Sequence, residues 1–212
     1  MNLQRFEFNL FGENTYIIWD AASGEAAVVD PGMANDEEVK MFEDFISSKK
    51  LRLKYVLLTH AHIDHVFGAE LIREKYEVPV LANKGDVTLG QMCALQAKMF
   101  HLPIEVGEIE FDRFIDAGTM LNLGEERIEV IETPGHSPGG VCYYVPASGF
   151  LLTGDTLFRG SIGRTDLPGG SMYILVDSIR RKLMLLPRDT VVYPGHGPST
   201  TIGEEASQNP YI

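Results

Sequence analysis

The chain has 212 residues, of which 44% are apolar and 23% are charged, close to the averages for globular proteins. A chain of this length can bury a substantial core, and we predict one domain that spans residues 1–212. The formal net charge of −12 repels polyanions, which argues against nucleic acid and anionic membrane surfaces as partners.

The cysteines and the N-terminus predict a cytoplasmic protein. Cys93 and Cys142 lie far apart in different contexts, so we expect both to be free, as is usual in a reducing compartment. Residues 1–10 are polar and alternating, and they lack the basic and apolar regions of a signal peptide. No apolar run approaches the roughly 20 residues that span a bilayer, so we expect no membrane span.

Alternating and apolar runs predict strands and helices along the first half of the chain. The expected strands cover residues 3–11, 15–19, 26–29, 55–58 and 78–81. The expected helices cover residues 35–49, 66–75 and 87–100, and the first of them is capped by Asn35 or Asp36.

The second half of the chain returns to strands and then to a helix. The expected strands cover residues 114–115, 127–131, 140–145, 150–153 and 190–193, with a long helix at 171–186 before the last of them. Strands followed by helices in each half predict an α/β fold with two β-rich layers inside two helical layers.

Histidine and aspartate residues cluster at the ends of predicted strands. Five of the six histidines lie in segments 59–65, 133–136 and 193–197, and an aspartate lies in a fourth segment, 152–156. Loops at strand ends are where such folds place ligand and catalytic groups. The candidate metal ligands are His60, His62, Asp64, His65, His136, Asp155 and His196.

The spacing within the first segment suits two metal ions. His60 and His62 are two residues apart, so in an extended stretch they project to the same side. Asp64 and His65 follow where the chain begins to turn into a helix, so they can face a second ion. Imidazole and carboxylate groups suit Zn²⁺ and similar divalent metals, and seven ligands exceed what one tetrahedral ion needs. We therefore predict two divalent ions, with Asp155 able to bridge them.

The four segments together resemble the metallo-β-lactamase superfamily, and within it the glyoxalase II (hydroxyacylglutathione hydrolase) branch. The likeness covers nearly the whole chain and rests on Thr-His-Ala-His-Ile-Asp-His at 59–65, Thr-Pro-Gly-His-Ser-Pro-Gly at 133–139, Gly-Asp-Thr-Leu-Phe at 154–158 and Pro-Gly-His-Gly-Pro at 194–198. It implies an αββα four-layer sandwich, the metallo-β-lactamase fold, with the metals at one edge of the two sheets.

The resemblance also implies how the ligands divide between the two ions. It places three histidines on the first ion, an aspartate and two histidines on the second, and one aspartate between them: His60, His62 and His136; Asp64, His65 and His196; and Asp155. Zinc is the expected metal, and iron and manganese accept the same set of ligands.

The implied activity is hydrolysis of a small-molecule thioester by a metal-bridging hydroxide, because two cations lower the pKa of a bound water to about 7. Asp64 is the candidate catalytic residue, since it can orient this nucleophile or collect its proton. A thiolate leaves with little protonation, so hydroxyacyl-glutathione-like thioesters are natural substrates. The chain ends at Ile212, as in short glyoxalase II-like hydrolases. These lack the C-terminal helical domain that supplies part of the glutathione pocket, so a thiol other than glutathione is an alternative carrier.

The glycine-rich segment 158–170 predicts a shaped loop over the site. Arg159 and Arg164 are candidate substrate-binding residues that can clamp a carboxylate. Alternatively, Arg164 pairs with Asp166 and braces the loop. The helix predicted at 87–100 carries apolar residues that either wall the pocket or belong to the core: Met92, Met99 and Phe100.

Three other classes of protein stay open. Persulfide dioxygenases share the fold, the His-x-His-x-Asp-His motif and a Gly-Arg-Thr-Asp segment like 163–166, and they use a single iron. The Pro-Gly-His-Gly-Pro segment at 194–198 favours the hydrolase over them. The negative charge disfavours a nuclease, and the full ligand set disfavours a metal-binding protein without catalysis. Persulfide-dependent oxygen uptake would identify the dioxygenase, and RNA cleavage would identify the nuclease.

Overall fold

The computed structural model describes residues 1–102, 104 and 106–212, and within them the strands form two six-stranded sheets and one two-stranded sheet. The first sheet has the order β1 (Asn2–Phe8), β2 (Glu13–Trp19), β3 (Glu25–Val29), β4 (Arg52–Leu57), β5 (Val80–Ala82) and β6 (Arg113–Phe114). The second sheet has the order β14 (Thr200–Thr201), β13 (Val191–Pro194), β10 (Phe150–Gly154), β9 (Val141–Val145), β8 (Glu126–Glu132) and β7 (Met120–Leu123). The small sheet pairs β11 (Leu157–Phe158) with β12 (Ser161–Ile162).

The helices lie on the outer faces of the two large sheets. They are α1 (Asp36–Lys49), α2 (Ala69–Tyr76), α3 (Val87–Gln91), α4 (Cys93–Met99), α5 (Met172–Lys182) and α6 (Ile202–Gln208). Short 3-10 helices cover Ile63–His65, Lys84–Asp86, Pro146–Ser148 and Leu183–Leu185.

Three apolar clusters separate the four layers. Phe42 of α1 and Ile72 of α2 pack against the first sheet, and Ile179 of α5 packs against the second. A third cluster, which includes Leu57 and Tyr143, fills the space between the two sheets. The predicted αββα four-layer sandwich is therefore confirmed.

The helix predicted at 87–100 is interrupted, so the prediction of one continuous helix is wrong. Met92 lies between α3 and α4 with φ −90° and ψ 4°. The backbone NH of Ile109 donates to the carbonyl of Gly90 (3.0 Å), and the Gln96 side-chain amide donates to the carbonyl of Leu89 (3.0 Å). Because these two carbonyls have partners outside the regular helical pattern, the helix ends and restarts at this point.

Strand direction brings the loops with the predicted ligands to one edge of the sandwich. Strands β3, β4 and β5 are mutually parallel, so the chain leaves all three at the same edge of the first sheet. In the second sheet, β10 is parallel to β13, and β8 runs in the same direction because both β8 and β10 are antiparallel to β9. Segments 59–65, 133–136, 155–156 and 195–197 follow these strand ends.

Hydrogen bonds tie the two sheets together beside this edge. The NH of Val141 donates to the carbonyl of Thr59 (2.8 Å), and the hydroxyl of Tyr143 donates to the carbonyl of Leu58 (2.7 Å). The NH of Asn14 donates to the carbonyl of Gly195 (2.7 Å). The ligand segments of the two sheets are therefore held at a defined separation by backbone contacts.

The C-terminal segment forms β14 and α6, which were not predicted. Glu205 of α6 is buried and accepts hydrogen bonds from the NH of Gly160 (2.9 Å) and the hydroxyl of Thr200 (2.6 Å). Asn209 donates to the carbonyl of Ser161 (3.0 Å). The segment therefore supports the β11–β12 hairpin that follows Asp155. Among the described residues, every helix is too short or too polar to cross a bilayer.

Candidate metal centre

The first group of side chains at this edge consists of three buried histidines, His60, His62 and His136. Nδ1 of His62 lies 2.8 Å from Nε2 of His136, which lies 3.2 Å from Nε2 of His60. Three ring nitrogens that converge in this way can share one cation, since neutral imidazole is a common ligand of Zn²⁺ and related ions.

The second group consists of Asp64, His65 and His196. Oδ2 of Asp64 lies 3.2 Å from Nε2 of His196 and 3.7 Å from Nε2 of His65. His65 is fully buried, whereas His196 keeps about a quarter of its side-chain surface exposed (27%). This group therefore lies nearer to solvent than the three histidines do.

Asp155 spans the space between the two groups. Its Oδ1 lies 3.4 Å from Nε2 of His65 and 3.7 Å from Nε2 of His196, whereas its Oδ2 lies 3.6 Å from Nε2 of His136. A Cβ on Gly195 would lie 2.5 Å from Oδ1 of Asp155, so this close approach requires glycine. The structure thus brings all seven predicted ligands together. The two groups that the resemblance implies are two of the three sets close enough to hold an ion, and the third set is Asp30, His60 and His65.

Two buried atoms of this cluster have no hydrogen-bond partner among the described residues. They are Nε2 of His65 and Oδ1 of Asp155, and they face each other at 3.4 Å. An unsatisfied buried polar atom costs about 1–3 kcal/mol, so such atoms are uncommon unless a ligand binds them. Nitrogen and carboxylate donors left free in this way fit divalent metal ions.

Asp30 and Thr59 support the histidines from behind. The buried carboxylate of Asp30 accepts from the NH of Thr59 (2.7 Å), the hydroxyl of Thr59 (2.6 Å) and Nδ1 of His65 (3.1 Å). Because the Thr59 hydroxyl proton is used on Asp30, Nδ1 of His60 donates to the Thr59 oxygen (3.1 Å). Both rings therefore keep a proton on Nδ1 and turn Nε2 toward the position of a metal.

Backbone carbonyls orient two further rings. Nδ1 of His136 donates to the carbonyl of Arg164 (2.7 Å), and Nδ1 of His196 donates to the carbonyl of Phe11 (3.2 Å). The loop that contains Arg164 and the β1–β2 turn that contains Phe11 therefore position ligands through their main chains.

Asp86 and Gln96 hold the ligand segments themselves. Asp86 is buried and accepts from the NH of Ala61 (3.0 Å), the hydroxyl of Ser137 (2.8 Å) and the NH of Gly139 (2.6 Å), so it joins segments 59–65 and 133–139. Gln96 accepts from the NH of Ile63 (3.1 Å). Sequence reasoning missed Asp30, Asp86 and Gln96. Only Asp30, which precedes Pro-Gly at the end of a buried strand, carried a recognisable signal.

Burial and neighbouring charges set the protonation states of the cluster. Burial lowers the pKa of His62 to about 3 and lowers that of His60 well below its usual range, so both rings are neutral and ready to bind a cation. Burial also opposes charge on His65, but the carboxylates of Asp64 and Asp155 outweigh it and raise the pKa of this ring. The pKa of Asp155 is lowered, because the positive potential of His65 outweighs the effect of burial.

The two arginines predicted to bind substrate are both exposed. The guanidinium of Arg164 forms two hydrogen bonds with Asp166, at 2.8 and 2.7 Å, which is the loop-bracing arrangement. Arg164 also lines the cavity at the metal centre. Arg159 does not line this cavity among the described residues. A role in substrate binding stays a prediction for both residues.

Two cavities adjoin the cluster. The mouth cavity, of about 210 Å³, is lined by Asp64, Asp155 and His196 together with Phe11 and Arg164. The apolar pocket, of about 280 Å³, opens beside His62. Its walls include Met92, Met99 and Phe100, so of the two alternatives for these residues the structure shows the pocket wall and not the core.

Comparison with known proteins agrees with this geometry. The sequence matches the metallo-beta-lactamase superfamily over residues 9–196. It is 36% identical to the probable metallo-hydrolase YqgX of Bacillus subtilis over 212 residues, which are 100% of this chain and 98% of the relative. It is also 36% identical to the hydroxyacylglutathione hydrolase GloC of Haemophilus influenzae over 214 residues, again 100% of this chain and 98% of the relative.

Solved structures show the same fold. BLEG-1 B3 metallo-beta-lactamase superposes with a TM-score of 0.88 and 33% identity over 99% of both chains. TTHA1623 in a di-iron-bound form superposes with a TM-score of 0.86 and 34% identity over 99% of this chain and 100% of that one. ETHE1 from Myxococcus xanthus superposes with a TM-score of 0.79 and 28% identity over 99% of this chain and 84% of that one. The chain therefore belongs to the metallo-beta-lactamase superfamily, as a metal-dependent hydrolase whose histidine and aspartate clusters suit divalent metal ions.

Proposed function

We propose that the protein is a binuclear metal-dependent thioesterase that acts on hydroxyacyl-glutathione-like thioesters. The observation that carries this proposal is the position of Asp155, whose two carboxylate oxygens face the two ligand groups separately. The partnerless Nε2 of His65 and Oδ1 of Asp155 support it, because a cation in the second ligand group would satisfy both atoms.

The residues of each group have a defined part in this proposal. One ion would be held by three histidines, the other by an aspartate and two histidines, and Asp155 would contribute to both: His60, His62 and His136; and Asp64, His65 and His196. When bound, the two ions supply Lewis acidity, which lowers the pKa of a water to about 7 and polarises a carbonyl oxygen. Zinc is the expected metal, with iron and manganese as alternatives.

Asp64 is the proposed catalytic residue. Its Oδ2 lies 3.2 Å from Nε2 of His196 and lines the mouth cavity, so it faces the place where a substrate carbonyl would enter. Burial raises the pKa of Asp64, but His65 and His196 outweigh burial and lower it, so the carboxylate is ionised at neutral pH. An ionised carboxylate there can orient a water and accept its proton.

The choice of a thioester rests on chemistry and on one relative. A thiolate leaves with little protonation, so the site needs no general acid. The GloC relative is named a hydroxyacylglutathione hydrolase, which supports a thioester as the substrate class. We place the reaction in the cytoplasm of the cell, since Cys93 and Cys142 are both free thiols.

The competing proposal is a persulfide dioxygenase with a single iron. The completeness of the second ligand group weighs against it. Asp64, His65 and His196 lie close enough together to bind an ion of their own, beside the three histidines of the first group.

The test combines metal analysis of the purified protein with hydrolysis of S-D-lactoylglutathione and simple thioesters. We expect about two metals per chain, and we expect Asp64→Asn to lower kcat/KM by roughly 100-fold or more. Asp44→Asn, which removes an exposed carboxylate from α1, is the matched control and should leave kcat/KM unchanged. A β-lactam belongs in the panel because one structural neighbour is a B3 metallo-beta-lactamase. One iron per chain, no hydrolysis and persulfide-dependent oxygen uptake would overturn the proposal.

A further inference from the structure

The apolar pocket beside His62 has no part in the chemistry described so far. Helices α3 and α4 form one wall, and the loops at 138 and 167–169 form the other. Its volume of about 280 Å³ is close to the lower end of ligand pockets, roughly 300 Å³. The apolar side chains of the lining include Leu89, Met92, Met99, Phe100, Leu167 and Pro168.

The polar groups of the pocket are few. Among the described residues, its lining contains no charged side chain, and its polar side chains are those of His62, Thr88 and Gln96. The amide of Gln96 is already used, since its oxygen accepts from the NH of Ile63 (3.1 Å) and its nitrogen donates to the carbonyl of Leu89 (3.0 Å). A carboxylate or ammonium group of a ligand would therefore lie unpaired in this pocket, at a cost of several kcal/mol.

The pocket adjoins the mouth cavity at the metal centre. It shares His62, Gln96, Phe100 and Leu167 with the mouth cavity, where Arg164 and the ligand carboxylates lie. If the substrate carbonyl lies at the metal centre, one end of the substrate faces the apolar pocket, past His62. The other end faces Arg164 and solvent.

We propose that the apolar pocket binds the acyl chain of the substrate, so that the enzyme selects thioesters with several methylene groups beyond the carbonyl. The thiol carrier then lies toward Arg164. This inference rests on the proposed thioesterase function and adds a substrate class to it. Each methylene that enters the pocket should strengthen binding roughly threefold to fourfold, until the pocket is full.

The first experiment measures binding without hydrolysis. Straight-chain S-alkyl thioethers of N-acetylcysteamine, from ethyl to octyl, are titrated calorimetrically into the metal-loaded protein. We expect the Kd to fall roughly threefold to fourfold per methylene over the first members, with a negative heat-capacity change. A Kd that does not vary with alkyl length would overturn the assignment.

A pair of variants tests the location. Met99 and Leu95 both lie on α4 and are both exposed, by 61% and 47%, but of the two only Met99 lines the pocket within the described part of the chain. We expect Met99→Asp to weaken hexyl thioether binding by roughly 10-fold or more, because its carboxylate would face the alkyl chain. Leu95→Asp should change it by less than about twofold. Equal effects of the two substitutions would overturn the assignment.

Hydrolysis of the matching S-acyl-N-acetylcysteamines separates this inference from the proposed function. From acetyl to hexanoyl, kcat/KM should rise on the order of 100-fold. If thioesters are hydrolysed at rates independent of acyl length, the pocket assignment fails and the thioesterase stands. If the thioethers bind with the expected length dependence and no thioester is hydrolysed, the thioesterase fails and the pocket stands as an alkyl-binding site.

Discussion

Asp30→Asn tests whether the residues behind the metal centre control the ligands. Asp30 is buried and has φ 50°, a left-handed conformation that asparagine adopts readily, so the substitution does not strain the backbone. It replaces one carboxylate oxygen by an NH₂ group. The question is which of the three hydrogen bonds to Asp30 is lost.

The geometry determines the expected loss. An NH₂ group toward the NH of Thr59 would place two donors together, and a backbone NH cannot rotate away. The NH₂ group is therefore expected to face the Thr59 hydroxyl, which can rotate, and Nδ1 of His65, which cannot. His65 relieves this conflict by moving its proton from Nδ1 to Nε2. Nε2 is the atom that faces Asp64 and Asp155, so the tautomer change removes a proposed metal ligand.

Two measurements give the size of the effect. The loss of charge-assisted hydrogen bonds should lower the free energy of unfolding of the metal-free protein by about 2 kcal/mol, measured with urea in the presence of a chelator. The affinity for the ion proposed to lie between Asp64, His65 and His196 should fall roughly 10-fold to 100-fold, measured by chelator competition. Asp44→Asn is the control. An unfolding free energy within about 0.5 kcal/mol of wild type and unchanged metal affinity would show that Asp30 does not control the ring of His65.

Three further predictions concern other parts of the chain. Burial raises the pKa of Cys93 to about 12 and that of Cys142 to about 11, so a thiol reagent at neutral pH should label both only after unfolding, and rapid labelling of the native protein would contradict this. Because the Arg164 guanidinium is paired with Asp166, Arg164→Ala should change KM for an acidic thioester by less than about twofold, whereas a much larger rise would show that the arginine binds substrate. Hydrogen bonds from Gly124, Lys54 and Arg52 lower the pKa of Glu25 from 4.5 to about 2. The folded pKa lies below the unfolded one, so this contribution to stability is present above pH 4.5 and is lost as the pH falls toward about 2. The difference in unfolding free energy between wild type and Glu25→Gln should shrink over that range, and urea titrations that show a constant difference would contradict it.

The cluster of proposed metal ligands was predictable because the signals of its residues are local in sequence. His60, His62, Asp64 and His65 lie within six residues, and the other ligand segments each follow a buried strand. The direction of the parallel strands then brings these segments to one edge. The αββα order follows in the same way from the succession of strands and helices.

The supporting residues were not predictable because their partners lie far away in the chain. Asp86 contacts Ala61 and Gly139, at separations of 25 and 53 residues, and its own neighbourhood has no motif. The break at Met92 depends on a carbonyl that Ile109 occupies from outside the helix. Strands of two residues such as β11, β12 and β14 are too short to show the alternation of apolar and polar residues that predicts a strand.

The apolar pocket shows a further limit of sequence patterns. Met92, Met99 and Phe100 have the same spacing whether the opposite layer is a packed core or a cavity. Only the placement of Pro138 and Leu167 across from them shows that a cavity is left.

The proposed binuclear centre requires two divalent ions that share Asp155. Anomalous diffraction from crystals of the zinc-loaded protein locates such ions. We expect two peaks roughly 3.5–4 Å apart on either side of the Asp155 carboxylate. One should lie among His60, His62 and His136, and the other among Asp64, His65 and His196. A single peak, or a second peak away from Asp155, would contradict the binuclear centre.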